Sequence, residues 1–322
     1  MLDSKYENLN LSYNLLKDEL DDLIISKNII NNLCASLIAN KHVILEGHPG
    51  TGKTELAIRL SEVAKLNNVV EGYILTTATS DWSTFDVVGG WMPDEDNFLK
   101  FNRGKFLEAI ASNKWLIIDE INRADIDKAF GQLFTVLSGQ NVELPYTENG
   151  KCIKIELWDK KFSKYDEETA TYYIGSNWRI IGTMNVDDKD NLFDLSYAFI
   201  RRFMFIEIDI PNDNDYYTLI ERWCGDLDEV YITKLLDLQK IVKFKKIGPA
   251  IFKDMIDYIK FKEELLPKDH NSTLSEAISS YMLPQFEGIN KQKVAELKKF
   301  FEELNIFSFI EDEFNNFFKE LY

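Results

Sequence analysis

The stretch Leu45–Leu56, LEGHPGTGKTEL, decides the fold. Inside it, Gly47-His48-Pro49-Gly50-Thr51-Gly52-Lys53-Thr54 fits the pattern G-x-x-x-x-G-K-[S/T] in full. Glycines at these positions let main-chain N–H groups turn inward around phosphates with no Cβ in the way. Lys53 brings a point charge to the β- and γ-phosphates, and Thr54 offers a hydroxyl to Mg²⁺. A helix starting here aims its positive end at the same ligand. The motif needs a strand before it and a helix after it. HVILE (His42–Glu46) is a short apolar run, and TELAIRLSEVAKL carries Leu56, Ile58, Leu60 and Val63 at helical spacing. The phosphate-binding segment is therefore read as Gly47, His48, Pro49, Gly50, Thr51, Gly52, Lys53, Thr54 and Glu55. His48 sits at a variable position and reads as filler rather than as an acid or base.

Working outward, four more apolar runs follow: VVEGYILTT (Val69–Thr77), WLIIDE (Trp115–Glu120), RIIGTMN (Arg179–Asn185) and FMFIEIDI (Phe203–Ile210). Helix-like segments such as Asp125–Ser138 separate them. Short, continuously apolar strands alternating with helices predict a parallel sheet covered on both faces. Residues 4 to about 40 read as helical, with a second helix near Lys27–Ala39. NVELPYTENGKCIKIELW alternates around Asn149-Gly150 and predicts a β-hairpin insertion. Past Pro211 only helical periodicity is found, so a boundary falls near Asn212–Asp215. The expected division is an N-terminal helical segment over 1–40, a nucleotide-binding core over 41–212 and an α-helical lid over 213–322.

WLIIDEINRAD bears on what happens to the nucleotide. Its apolar residues run into adjacent carboxylates, Asp119 and Glu120, 66 residues after Lys53. A buried strand ending in Asp at the carboxyl edge of the sheet delivers that carboxylate to the crevice of the glycine loop. Asp119 is expected to hold Mg²⁺ together with Thr54. Glu120 is expected to point elsewhere and take a proton from an attacking water. Asn185 ends another strand, where an uncharged amide suits orienting water or touching the γ-phosphate. In LFDLSYAFIRRFMF, Arg201 and Arg202 end a short helix: either a solvated charge pair or an arginine finger, which is often supplied across a subunit boundary.

Composition narrows the field. A formal net charge of −17 argues against broad, sequence-independent affinity for DNA, which needs Lys and Arg to displace counterions. No apolar run reaches the roughly 18 residues of a membrane helix. MLDSKYENLN lacks the basic flank and apolar centre of a secretory leader, and Cys34, Cys152 and Cys224 form no CxxC pair. A cytoplasmic protein with reduced thiols is expected.

Taken together, the glycine loop, DEINRAD, GTMN and LSYAFIRRF resemble the AAA+ ATPases, in the branch that contains MoxR-type chaperone ATPases and the McrB-type motors of methyl-dependent restriction. The resemblance covers Ile29–Ile210 well and the C-terminal part more loosely. It implies an α/β fold, a P-loop core with a five-stranded parallel sheet and helices on both faces, plus a C-terminal α-helical lid. It also implies assembly as a homo-oligomer, commonly a hexameric ring. Asn185 then matches the sensor-1 position. The finger matches Arg202 with Arg201 as its neighbour, and the doublet leaves the assignment open. Insertions are implied at about 81–106 and 141–178, facing a central pore or a partner. KIGPAIF puts Ala250 where many relatives carry a lid arginine, so either the lid supplies no such cation, as in McrB-type relatives, or the matching position lies elsewhere in the lid. Only about 40 residues precede the core, and no DNA-reading domain is evident.

The resulting expectation is an ATP hydrolase, with GTP as the alternative nucleotide and Mg²⁺ as its metal, driving a partner protein. That partner is a nuclease subunit in a McrBC-like restriction or antiviral setting, or a remodelling client in a MoxR-like one. A nucleotide-dependent scaffold with little turnover is the rival reading, and an intact Glu120 and Asn185 argue against it. A kinase reading finds no acceptor-binding domain.

Overall fold

In a computed structural model, residues 11–20, 23–148, 150–186, 193, 195–265 and 269–319 are described. Eleven strands are found among them: β1 (His42–Gly47), β2 (Tyr73–Thr77), β3 (Gly89–Pro93), β4 (Leu99–Arg103), β5 (Trp115–Asp119), β6 (Val142–Glu148), β7 (Lys151–Leu157), β8 (Lys164–Asp166), β9 (Thr171–Ile174), β10 (Ile180–Asn185) and β11 (Phe203–Glu207). Five of them form the central sheet in the order β11-β1-β10-β5-β2. Every pairing in it is parallel. The fold is the P-loop α/β core with helices that the motif order implied.

The continuous apolar runs have a direct cause. Successive side chains of a strand point to opposite faces, and both faces here are covered. Val43 and Leu45 pack in one cluster with Leu33, Leu37, Leu56 and Leu60. Ile44 packs in the other with Phe106, Ile110, Leu116 and Ile118. The helices Lys27–Ile38 and Lys53–Leu66 supply the first cover, and Lys105–Ala111 supplies part of the second. Val43, Ile44 and Leu45 are fully buried, while His42 and Glu46 towards the ends are half-buried.

The chain falls into two compact units, Met1–Gly47 with Lys53–Ile208, and His48–Gly52 with Asp209–Tyr322. The second unit is helical. Its core gathers Tyr216, Leu235, Phe252, Ile256, Leu283, Leu297, Phe301 and Phe314. Among the aromatics of the C-terminal run, Phe300, Phe307 and Phe318 are also buried there, whereas Phe309 and Phe317 are exposed.

Several elements differ from the sequence expectation. The long N-terminal helix is reduced among the described residues to Tyr13–Leu16, and Ile24 has φ +45; residues 1–10 of that expectation lie outside the described residues. β2 begins only at Tyr73, because Gly72 takes φ +139 and breaks the run. The helix expected over Asp125–Ser138 splits into Ile126–Phe130, a 3-10 turn Gly131–Leu133 and Phe134–Leu137. The expected hairpin exists as β6 and β7, with Asn149 of its turn outside the described residues. It belongs to a larger sheet of order β6-β7-β9-β8, in which β7 and β9 are parallel. β3 and β4 form a separate antiparallel hairpin within the first insertion.

Among the described residues no helix is long and apolar enough to cross a membrane. No cluster of three His, Cys, Asp or Glu there suits a metal. Cys34 and Cys224 are buried, and burial raises each thiol to about 11.

Candidate active site

Gly47 and Asn185 are register partners at the carboxyl edge of the central sheet. Lys53, in the first turn of its helix and only 6% exposed, donates to the Gly47 carbonyl at 3.1 Å and to Asn185 Oδ1 at 2.8 Å. Asn185 Nδ2 in turn donates to Glu120 Oε1. Lysine, strand-end amide and second carboxylate thus lie in one hydrogen-bonded row. A parallel set runs beside it. Thr54 Oγ1 and Thr183 Oγ1 each donate to Asp119 Oδ1 at 2.6 Å.

The adjacent carboxylates diverge because the backbone turns between them. Asp119 is the last residue of β5, while Glu120 sits in the left-handed region at φ 53. That conformation is costly for a residue with a Cβ and is concentrated at functional sites. The Glu120 N–H is held by Thr183 Oγ1 at 3.3 Å, and Arg123 Nε lies 3.7 Å from Glu120 Oε2. Asn122 Nδ2 donates to the Asn185 carbonyl at 3.1 Å and braces the strand end from below.

Thr183 and Asn122 were not singled out from the sequence. Thr183 precedes Asn185 by two on β10, so both side chains fall on the same face of the strand. That spacing was available as a signal, but the partner across the sheet was not.

Within the other unit, Gly50 and Gly52 have φ of +75 and +83, a conformation glycine reaches without strain. Thr51 Oγ1 donates to the His48 carbonyl at 3.0 Å. The Gly50 carbonyl accepts from the Ala250 N–H at 3.2 Å, and a Cβ on Gly248 would lie 2.3 Å from the Pro49 oxygen. Ala250 thus contributes a main-chain contact and no cation. Glu55 is held by Arg59 Nε at 2.6 Å one turn along the helix.

The donor set suits the implied groups. Two hydroxyls and a carboxylate are hard oxygen ligands of the kind Mg²⁺ takes, and a buried lysine suits phosphate oxygens as a point charge.

Arg201 and Arg202 lie elsewhere. Arg202 donates through Nε and Nη2 to the Phe134 carbonyl, at 3.2 and 3.1 Å, and through both to Ser138 Oγ. Burial, with Arg201 beside it, lowers its pKa. Both arginines line a cleft of about 830 Å³ that also includes Lys41, His42, Trp158 and Arg179.

Residues 42–203 match the AAA domain family, dynein-related subfamily. This chain belongs to that family, in the MoxR/McrB-like branch of the AAA+ ATPases. It is 31% identical over 204 residues to the type IV methyl-directed restriction enzyme EcoKMcrB subunit of Escherichia coli (strain K12), an alignment covering 60% of this chain and 41% of that protein. It is 24% identical over 217 residues to midasin of Giardia intestinalis, covering 66% of this chain and 4% of midasin. The chain therefore spans less than half the length of each of these curated relatives. A solved structure from Cytophaga hutchinsonii aligns over 90% of this chain and 81% of its own at 16% identity and TM-score 0.42. As an AAA+ member the chain is a nucleotide hydrolase by class. The shared core accounts for the glycine loop, the two carboxylates and the strand-end amide lying within one family match.

Proposed function

We propose that this AAA+ ATPase hydrolyses ATP, with GTP as the alternative, as a homo-oligomeric hexameric ring that drives a partner protein. The observation that carries the reading is the row Lys53–Asn185–Glu120 set beside Thr54–Asp119. Lys53 binds the β- and γ-phosphates. Thr54 and Asp119 would hold Mg²⁺, which when bound supplies positive charge against the β- and γ-oxygens. Glu120 accepts the proton of the attacking water and Asn185 orients that water. Core and lid are assigned to 41–212 and 213–322, in a cytoplasmic protein.

The position of the arginine doublet supports a site completed by a second chain. Phe203, two residues after Arg201, is the register partner of His42 at the amino end of β1, whereas Asn185 pairs with Gly47 at the carboxyl end. Six residues separate the edges, roughly 16 Å at the usual rise per residue. An arginine side chain does not cover that span, which supports the reading that its phosphate is one bound by another copy.

The likeness to the EcoKMcrB subunit supports a nuclease subunit of a defence system as the partner. Co-purification from the native cell tests this: a nuclease is the expected companion, and a non-nuclease client would transfer the motor to the remodelling setting. For the motor itself, turnover per chain should rise with protein concentration. Glu120→Gln should bind nucleotide yet hydrolyse it about 10²- to 10⁴-fold more slowly. Negligible turnover at every concentration would instead indicate a scaffold.

A further inference from the structure

The β3–β4 hairpin carries apolar surface that its own chain does not cover. Its root is packed: Phe101 is buried, and a Cβ on Gly90 would lie 2.6 Å from the Phe85 ring. Beyond the root, every residue from Trp91 to Lys100 is exposed, including Trp91, Met92, Phe98 and Leu99. Apolar side chains clustered on an exposed surface in this way mark an interaction site. The tip is also acidic and ordered. Asp94 Oδ1 accepts from the main-chain N–H groups of Asp96 and Phe98, at 3.0 and 2.9 Å, which fixes the turn. Among the described residues, the Glu95 and Asp96 carboxylates have no hydrogen-bond or ion-pair partner.

A complementary surface lies in the loop after β7. Trp158–Lys164 holds three exposed lysines, Lys160, Lys161 and Lys164, against the single carboxylate of Asp159. In a chain of net charge −17 this is a local reversal of sign. Trp158 stacks on Tyr173 with ring centroids 4.9 Å apart, and the Lys160 and Lys164 ammonium groups lie 5.1 and 5.3 Å from the Trp158 ring. That leaves lysine charge, rather than an open ring for a nucleic-acid base to stack on, as what a partner meets. Phe162, in the same loop, is exposed. The ledge is held by its main chain: the Lys160 and Lys161 carbonyls accept from the Ser176 and Asn177 N–H groups at 2.9 and 3.1 Å, and Trp158 Nε1 donates to the Phe162 carbonyl at 3.0 Å. A surface ordered in advance loses little conformational entropy on binding.

We propose that the hairpin tip of one copy of this chain seats on the Trp158–Lys164 ledge of a second copy, with Glu95 and Asp96 facing Lys160 and Lys161, and Phe98 and Leu99 meeting Phe162. Both surfaces belong to the same compact unit but to opposite edges of its central sheet. The hairpin follows Thr77, which pairs with Asp119 at the carboxyl edge, and the helix Lys105–Ala111 leads back from it toward Trp115. The ledge is bonded to Ser176 and Asn177, which lead into β10 at the amino edge. Among the described residues no hydrogen bond, ion pair or ring contact joins tip and ledge within one chain. Two unlike, complementary patches make a head-to-tail contact, the kind that can close into a ring. Opposite charge sets the register of such a contact, and buried apolar side chains stabilise it. The inference rests on the reading of the protein as a homo-oligomer and names one contact that would hold it.

The test is a charge exchange in the full chain, with assembly read by sedimentation velocity over a concentration series in Mg²⁺ and a slowly hydrolysed ATP analogue. Glu95→Lys with Asp96→Lys, and separately Lys160→Glu with Lys161→Glu, should each raise the concentration needed for assembly about tenfold or more. The melting midpoint of the dilute chain should stay at the wild-type value, since all four side chains are exposed. An equimolar mixture of the two variants should assemble as the wild type does, because reversed hairpin meets reversed ledge at one contact and native meets native at the next. Wild-type assembly by either variant alone, or a mixture no better than its components, overturns the contact while leaving the homo-oligomer standing. A ledge variant that assembles normally but no longer retains a single-stranded oligonucleotide overturns it in favour of nucleic acid. A wild-type chain that stays monomeric at every concentration overturns the homo-oligomer and the contact together.

Discussion

At the scale of single residues, hydrogen-bond partners separate roles that the motifs leave merged. Lys53→Ala should abolish nucleotide binding, read by fluorescence of a labelled nucleotide, because no other buried cation adjoins Asn185 among the described residues. Thr183→Val keeps the shape but removes the hydroxyl that holds both Asp119 Oδ1 and the Glu120 N–H. It should cost about 1–3 kcal/mol of stability and lower kcat more than affinity, since Lys53 is untouched. His42 makes a pH prediction. Its Nδ1 accepts from the Ile180 N–H at 3.1 Å, its ring packs against Trp178 and Phe203, and burial followed by the charge of Arg179 pushes its pKa down to about 3. The unfolded chain therefore binds a proton between about pH 3 and 6.5 that the folded chain refuses. Stability should be full above 6.5 and fall toward pH 3 by about 1.4 kcal/mol per unit from this group. His42→Gln, which keeps an acceptor but not the titration, should flatten that part of the melting profile.

At the scale of elements, the β3–β4 hairpin and the β6-β7-β9-β8 sheet meet at one carboxylate. Glu148, the last residue of β6, accepts from Arg103 at 3.2 Å, Tyr165 at 2.7 Å and Tyr172 at 3.2 Å. Arg103 ends β4 and lies over the Tyr165 ring at 4.1 Å. Burial raises both tyrosines, Tyr165 to about 12. Glu148→Ala should lower stability by about 2–3 kcal/mol, discounted for the partial exposure of Arg103. It should also speed amide exchange in β3 and β4 before the central sheet, measured by hydrogen–deuterium exchange. The β6–β7 hairpin was legible because its residues alternate. β8 and β9 were not: β8 is only three residues long, and the parallel pairing of β9 with β7 depends on contacts that no local pattern encodes. The break at Gly131 was missed because the apolar spacing of Ala129, Phe130, Leu133 and Phe134 continues across it.

At the scale of the whole molecule, each unit carries its own core. Phe301 is fully buried in the helical unit, against Phe300 and Phe314, so Phe301→Ala should cost about 3–5 kcal/mol. Calorimetry should show that loss in the transition assigned to the helical unit. The central sheet places the lysine row and the arginine doublet at opposite edges. An enzyme built this way is expected to gain activity with concentration, as a dilution series would read.

What the sequence determined alone was the order of the chemistry. Glycine loop, paired acids, strand-end amide and paired arginines are each local strings, and strand runs buried on both faces announce themselves by continuous apolarity. What only the tertiary structure decided was who stands beside whom: Thr183 on Asp119, Asn185 between Lys53 and Glu120, and Arg202 on the Phe134 carbonyl. Parallel strands are joined by long crossovers, so neighbours across the sheet are distant along the chain, and their identity is settled by register and packing.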